Sequence, residues 1–532
     1  MLKMYRTENE MRIRIGQTSQ EEKELSGYIT EFGDLRGYAA GRFRKESVDC
    51  WDAVSLYTKV VPDPCSGGLI DSLGDTHGIH DDAEEIVRDD IATSAALSGG
   101  SYMRPRSPYM DLATIAPCPV LSPLLDFNPP AFMEFSSRKS QRALVDHFCN
   151  VLSHLIVFKE DTGNPFQQLV LPLSHASSPV LNAIYALSSA HLESRGVENE
   201  ERSLDFHNKA LQGLAQLIER NDANREETLG AIMLLVYYEV LVQRGSSNIV
   251  TDHLKGAMTI MKSRSQHESP TSLFLQRAFR FYDVISALSF GTAPISSMPP
   301  TLSPFILPPK PEATSLGSVD TLLGMATDLW PIIHRLAKLL DTQREIQAAE
   351  TNYNPLKTTV LRTEFYSTSD AIELALKNWM PTSPTTSPPP DTSANPDLFE
   401  DARMRSILNN AEAYRQSALV YLYRYVKTCP RRSDKVQSHA QLALQACHRV
   451  VKWGGPMSAL LWPLFISACE AVEAEDREAA RAAFDGSSKR QGMMNIVRAW
   501  EVVEEVWHND DVGVDMDWRD VCRERGLSIV FG

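Results

Sequence analysis

Two histidines and several carboxylates stand close together in the run DTHGIHDD at residues 75–82. Imidazole and carboxylate groups are ligands that several divalent metals accept, so this run could bind a metal ion. A metal site also needs a rigid outer shell of hydrogen bonds, and the surrounding sequence is polar and rich in turn formers. We therefore predict an ordinary polar loop rather than a metal site.

The acidic run DDAEE at residues 81–85 resembles the motif with which all-α terpene synthases hold magnesium and diphosphate. That motif lies in a long apolar helix and works with a second metal motif downstream. Because the sequence has neither, a solvated run of charges is the better interpretation. The patterns H-E-x-x-H and G-x-S-x-G, which would indicate a metallopeptidase or a serine hydrolase, are also absent from the sequence.

Three further histidines, His191, His207 and His253, fall in segments with helical apolar patterns. None has a second ligand or a catalytic partner at a recognisable spacing. We interpret all three as structural, either hydrogen-bonded in the core or placed at a helix end. The sequence thus predicts no catalytic, metal-binding or DNA-binding residue, and it leaves open whether a cofactor or effector binds.

Glu239 lies in an almost wholly apolar segment that also contains Tyr237 and Tyr238. A buried carboxylate is costly unless it is paired, and the candidate partners are Lys255, Arg264 and Arg280. An ion pair that only fixes the helix register is the favoured interpretation. The alternative is that the pair lines an effector cavity.

Asp283, in the predicted helix 270–290, is another carboxylate that needs a partner. Arg280 is three residues before it and shares its face, whereas Arg277 does not. Arg424 is a further candidate partner for Asp283.

The eight cysteines form no C-x2-C pair, which argues against a zinc site or a thioredoxin-type motif. Cys149, Cys447 and Cys469 lie in apolar helical patterns and are predicted to be buried free thiols. The N-terminus lacks the apolar core of a signal peptide, and no run reaches 18 apolar residues. We expect an intracellular protein without a membrane span.

Charge argues against a general nucleic-acid surface, because the formal net charge is -15 and an acidic chain repels phosphate. The basic residues form two small groups without interleaved aromatic residues. These are predicted to be solvated surface, and residues 430–435 are also a candidate import signal. The groups are Arg42, Arg44 and Lys45, and Lys427, Arg431, Arg432 and Lys435.

The hydrophobic pattern divides the chain near residue 140. Residues 1–140 carry turn formers and weak periodicity, which predicts a poorly ordered leader. Beyond it, apolar residues recur at helical spacing, and no period-2 alternation predicts strands. We predict an all-α domain over residues 141–532, with Pro-rich linker loops at 291–313 and 380–396. The predicted helices are 141–158, 179–195, 201–220, one from 225, 249–264, 270–290, 319–340, 344–379, 397–427, 436–453, 460–474, 476–485 and 493–508.

Several of these segments, taken in order, resemble the fungal-specific transcription-factor domain, or middle homology region. They are most similar to its second class, the group that includes the acriflavine sensitivity control protein. The similar stretches are NPFQQLVLPLSH (164–175), SPVLNAIYALSSAHLES (178–194), residues 204–218, the "YE" and "HLKGA" blocks within 227–264, FLQRAFRFYDVISALSFG (274–291), YRQSALVYLYRY (414–425), LWPLFISACEAVEAEDR (461–477), residues 500–507 and Trp518.

The resemblance implies a repeat-like antiparallel helical bundle that regulates transcription in the nucleus. It implies other regulators, or a second copy of the chain, as partners, and a small molecule as a candidate effector. Members usually begin with six cysteines in C-x2-C-x6-C repeats that hold two zinc ions and place a helix in the major groove. Residues 1–140 contain only Cys50, Cys65 and Cys118, so zinc is expected only if an upstream cluster is missing from this sequence.

Three functional hypotheses remain. The first is a pathway-specific transcription regulator, for instance of a secondary-metabolite or catabolic gene cluster. The second is a co-regulator without a zinc finger that dimerises with a DNA-binding relative and reaches DNA only indirectly. The third is an all-α enzyme, which would need a deep pocket with converging carboxylates or a bound metal. We favour the regulator and expect no enzymatic activity.

Overall fold

The computed structural model describes residues 132–158, 163–197, 202–220, 224–242, 249–262, 269–297, 319–381 and 398–532. Within these ranges the chain forms fifteen α-helices and no strand, and one β-bridge joins Asp320 and Gly324. The all-α prediction is confirmed. The predictions made for residues 75–85 and for the first basic group lie outside the described residues, as do most of both Pro-rich stretches.

The first half of the fold contains seven α-helices, of which the first two are joined by a π-helical segment at Phe148–Leu152. Helix α5 is its centre. Thirteen residues of this helix, spread over all its faces, are buried, and the helix packs against α3, α4, α6 and α7. The helices are α1 (Lys139–His147), α2 (Ser153–Leu155), α3 (Ser178–Ser194), α4 (Ser203–Arg220), α5 (Arg225–Val242), α6 (Ile249–Lys262) and α7 (Pro270–Phe290).

The second half is arranged around α12, which is buried along its whole length and contacts α10, α11, α13 and α14. Its sequence LWPLFISAC explains this position, since it offers almost no side chain that water would solvate. The helices are α8 (Trp330–Thr351), α9 (Pro355–Asn378), α10 (Leu398–Tyr421), α11 (Asp434–Lys452), α12 (Leu461–Cys469), α13 (Ala474–Gln491), α14 (Met494–Asp511) and α15 (Trp518–Glu524).

Helix α3 and the end of α13 join the two halves through polar contacts. The Ser194 hydroxyl donates to the carbonyl of Gly492 at 2.5 Å, and the Arg195 guanidinium donates to the carbonyl of Arg490 at 2.9 Å. Helix α5 also packs against α14. The described helices therefore share one core rather than forming two separate bundles.

The break between α8 and α9 differs from the prediction. The sequence pattern predicted helices at 319–340 and 344–379, but α8 runs without interruption to Thr351. The chain turns at Tyr353, whose φ is 52°, and Pro355 then opens α9. Proline fits the first turn of a helix because its missing N–H is not needed there. The Asn354 side chain caps α9 by accepting from the Lys357 N–H at 3.1 Å.

Helix α7 begins with a capped first turn that offers a test of local stability. The Ser269 hydroxyl accepts from the N–H of Ser272 at 3.0 Å. We expect Ser269→Ala to lower the free energy of unfolding by about 1 kcal/mol, the usual effect of losing such a cap. Urea denaturation followed by circular dichroism measures this loss. Ser269→Thr keeps the capping oxygen and should stay near wild type; equal losses in both variants would contradict the capping role.

None of the helices in the described ranges is both long and apolar enough to cross a bilayer.

Candidate functional site

A cavity lies where the two halves of the fold meet. The volume open to the centre of a water-sized sphere is about 30 Å³, more than the roughly 10–15 Å³ that one water molecule requires. The wall is mainly apolar, and none of its side chains is a carboxylate. The lining residues are Leu152, Ile156, Leu187, Tyr237, Val240, Leu241, Phe281, Tyr282, Leu322, Ser458, Met493, Asn495 and Gly532.

A few polar atoms interrupt this apolar wall. The Asn495 amide donates to a main-chain oxygen of Gly532 at 3.2 Å, while its Oδ1 and the Ser458 hydroxyl have no hydrogen-bond partner among the described protein atoms. The Tyr237 and Tyr282 rings meet edge to face at 4.8 Å, and burial raises the pKa of both hydroxyls. The cavity therefore has room for ordered water, which its polar atoms could bind.

A second group of polar side chains lies across α4, α5 and α6. His207 Nε2 is 2.7 Å from Glu239 Oε1, and a nitrogen of His253 completes a set of ligand-type atoms within 4.8 Å of one another. The His207 ring stacks on Tyr238 with centroids 4.5 Å apart. Burial lowers the pKa of His253 to about 4, against the opposing effect of the Glu239 charge. We call His207, Glu239 and His253 the three-helix cluster.

Within the described residues, Glu239 contacts His207 rather than Lys255 or Arg280, two of its three predicted partners. Lys255 points outward and pairs with Asp252 at 3.2 Å, whereas His253, two residues earlier, faces the cluster. Arg280 lies near Asp283 instead, and Arg264 is outside the described residues. Each histidine on its own indicated only a structural role. The missed signal is that both lie on the buried faces of helices that flank Glu239, the one acidic residue of α5 beyond its first turn.

His191 lies apart from the three-helix cluster and belongs to a buried histidine pair. Its Nδ1 is 2.8 Å from His147 Nε2, and its Nε2 is 2.8 Å from the carbonyl oxygen of Gln491. Because a carbonyl can only accept, His191 Nε2 carries its hydrogen and Nδ1 accepts one from His147. Burial, reinforced by nearby positive charge, lowers the pKa of His147 to about 3. Burial, the largest cause, lowers that of His191 to about 4.

Asp283 is satisfied by the chain that follows α7. Its carboxylate accepts from the backbone N–H groups of Ile295 at 2.7 Å and Ser296 at 3.0 Å. It therefore anchors the start of the first Pro-rich stretch. The predicted pairing with Arg424 is wrong, since that arginine contacts Glu470. Arg277 forms a buried ion pair with Asp320.

A further group of buried charges surrounds Glu470, at the end of α12. Its carboxylate accepts from Arg424 Nε at 3.0 Å, from Arg431 Nε at 3.3 Å and from the Tyr425 hydroxyl at 2.6 Å. Burial raises the pKa of Glu470, and the two arginines oppose this shift. The prediction that Arg431 is solvated surface is wrong, because its side chain is only 2% exposed.

The predicted free thiols are found as expected. Cys149, Cys447 and Cys469 are buried and unpaired by any disulfide. Burial raises the pKa of Cys149 to about 12 and that of Cys447 further. These thiols are packing residues with little nucleophilic character.

The described residues thus form an all-helical core with a small apolar cavity and clusters of buried charges. They include most of the sequence blocks that resemble the fungal-specific transcription-factor domain. No curated protein and no solved structure matches the chain. The model of the fungal specific transcription factor domain, by contrast, matches residues 143–532, which is most of the chain. The chain belongs to the fungal specific transcription factor domain family and is a transcription regulator.

Proposed function

We propose that the chain is a pathway-specific transcription regulator that acts in the nucleus without catalysing a reaction. The observation that carries the proposal is the family match over residues 143–532, the same stretch in which the described helices form one core.

The helical domain acts in this proposal as a unit with two arrangements. A small molecule that fits the cavity better in one arrangement shifts the population toward it. The cavity is suited to this because its wall comes from both halves, including Tyr237 and Leu187 from the first and Asn495 from the second. A change in the packing of α5 against α14 would then alter the surface offered to partner proteins.

In this proposal the residues of this sequence do not bind promoter DNA themselves. The net charge is -15, and an acidic chain repels phosphate. The sequence also has no C-x2-C pair with which to build a basic zinc-binding module. The chain then depends on a DNA-binding relative with which it associates, or on a zinc cluster outside this sequence.

Chromatin occupancy of the tagged protein in its native host tests the proposal, with the measurement repeated after deletion of family members that carry a zinc cluster. We expect enrichment at a limited set of promoters. Loss of enrichment on deletion of one relative would identify that relative as the recruiting partner. Enrichment that survives every deletion would indicate a zinc cluster in the native product or a partner outside the family. A cytosolic protein without enrichment would overturn the proposal.

A further inference from the structure

The three-helix cluster has the composition of a metal site. Two imidazoles and one carboxylate converge from three different helices, with their ligand atoms within 4.8 Å of one another. His207 and His253 are buried, and the Glu239 side chain is 12% exposed. This edge provides an entry path for an ion, while the rest of the site is enclosed.

The spacing requires only a small adjustment to hold an ion. Zinc bonds of about 2.0–2.1 Å in a tetrahedral arrangement place neighbouring ligand atoms about 3.4 Å apart. His207 Nε2 and Glu239 Oε1, now 2.7 Å apart, would separate slightly, and the remaining atom would move inward.

The surroundings of the cluster favour a fixed cation. The His207 ring is held by stacking on Tyr238, so its nitrogen direction is set before binding. Asp252, next to His253, adds a negative charge nearby, although its ion pair with Lys255 offsets part of that charge. Two histidines with one carboxylate suit zinc and related transition metals better than magnesium or calcium, which prefer oxygen ligands.

We propose that His207, Glu239 and His253 bind one divalent transition-metal ion, with zinc as the favoured metal and water as a fourth ligand. The ion connects α4, α5 and α6. Helix α5 also lines the cavity, through Tyr237, Val240 and Leu241. This site is separate from any cysteine cluster, since its ligands are nitrogen and oxygen atoms. It also does not depend on the proposed role in transcription.

Metal binding by the purified full chain, with its affinity tag removed and after chelator treatment, tests the proposal. We expect one equivalent of Zn²⁺ by titration calorimetry and a higher melting temperature with ZnCl₂. Glu239→Gln and His253→Gln should each weaken binding by at least about 100-fold, beyond the 10–100-fold effect of residues that only support ligands. His175→Gln, a change at an exposed histidine, should leave binding unchanged.

A second measurement guards against variants that fail to fold. Co²⁺ added to the wild-type chain should give the visible absorption of a four-coordinate ion with nitrogen and oxygen ligands. A thiolate charge-transfer band would place the metal on cysteines and overturn the proposal. The proposal also fails if the folded wild type binds no Zn²⁺, or if folded Glu239→Gln binds it as tightly as the wild type.

Discussion

Replacing Arg431 with methionine is expected to lower the free energy of unfolding by about 3–5 kcal/mol, the range found when one partner of a buried ion pair is removed. The Arg431 side chain contacts Glu470 and Asp510 and donates to the carbonyl of Met516 at 2.9 Å. Methionine fills similar space but leaves these carboxylates with less compensating charge. Urea denaturation followed by circular dichroism measures the loss.

The neighbouring Arg432 supplies a matched control. Its side chain is 64% exposed and reaches Asp510 at 3.0 Å, so Arg432→Met should cost no more than about 1 kcal/mol. Adding Glu470→Gln to Arg431→Met should recover part of the loss, because the unpaired charge is then gone. Similar losses for Arg431→Met and Arg432→Met would show that burial of the pair does not govern stability here.

Acid is expected to destabilise the folded chain through the buried histidines. The folded-state pKa values of His147 and His191, about 3 and about 4, lie below the ordinary value near 6.5. Below about pH 6.5 the unfolded chain takes up protons that the folded chain refuses. The stability that the two neutral histidines contribute is therefore complete above about pH 6.5 and is lost as the pH falls toward their folded-state pKa values. At about pH 5 each of these two histidines lowers the free energy of unfolding by about 2 kcal/mol, relative to its value above about pH 6.5. Unfolding by urea at about pH 7.5 and about pH 5 measures the difference.

His147→Gln isolates the contribution of the pair. Its amide can still donate to His191 Nδ1 but does not titrate, so the variant should lose less stability between the two pH values than the wild type. The raised pKa values of Asp283 and Glu470 act in the opposite direction and are common to both proteins. His175→Gln should behave as the wild type. An unchanged pH dependence in His147→Gln would refute the assignment.

Apolar periodicity was enough to predict the helical class and the positions of most helices. Helices α5 and α12 are apolar on nearly every face and show little periodicity. Their unbroken apolar composition predicted them instead, because it makes burial the favourable state. Periodicity failed between α8 and α9, where the pattern continues across the true break. The Asn354–Pro355 step, a local capping signal, fixes that break.

Charged partners could not be predicted in the same way. Arg431 and Arg432 are adjacent and chemically identical, yet one is buried against Glu470 and the other is exposed. The difference comes from how α12 and the chain before α11 approach each other, which local spacing does not encode. The same limit concealed the three-helix cluster, whose three residues become neighbours only when α4, α5 and α6 pack.

The hydrogen bond between His191 and Gln491 joins residues that are 300 positions apart in the sequence. This separation delays the completion of the fold during synthesis. Ribosomes add about 5–20 residues each second, so α3 waits roughly 15–60 s for the end of α13 to emerge. During that interval α5, which is apolar on nearly every face, also lacks the contact that α14 makes with it in the folded chain. The nascent chain is therefore exposed to misassociation, and its yield in cells should depend on chaperones that shield the first helices until the last ones arrive.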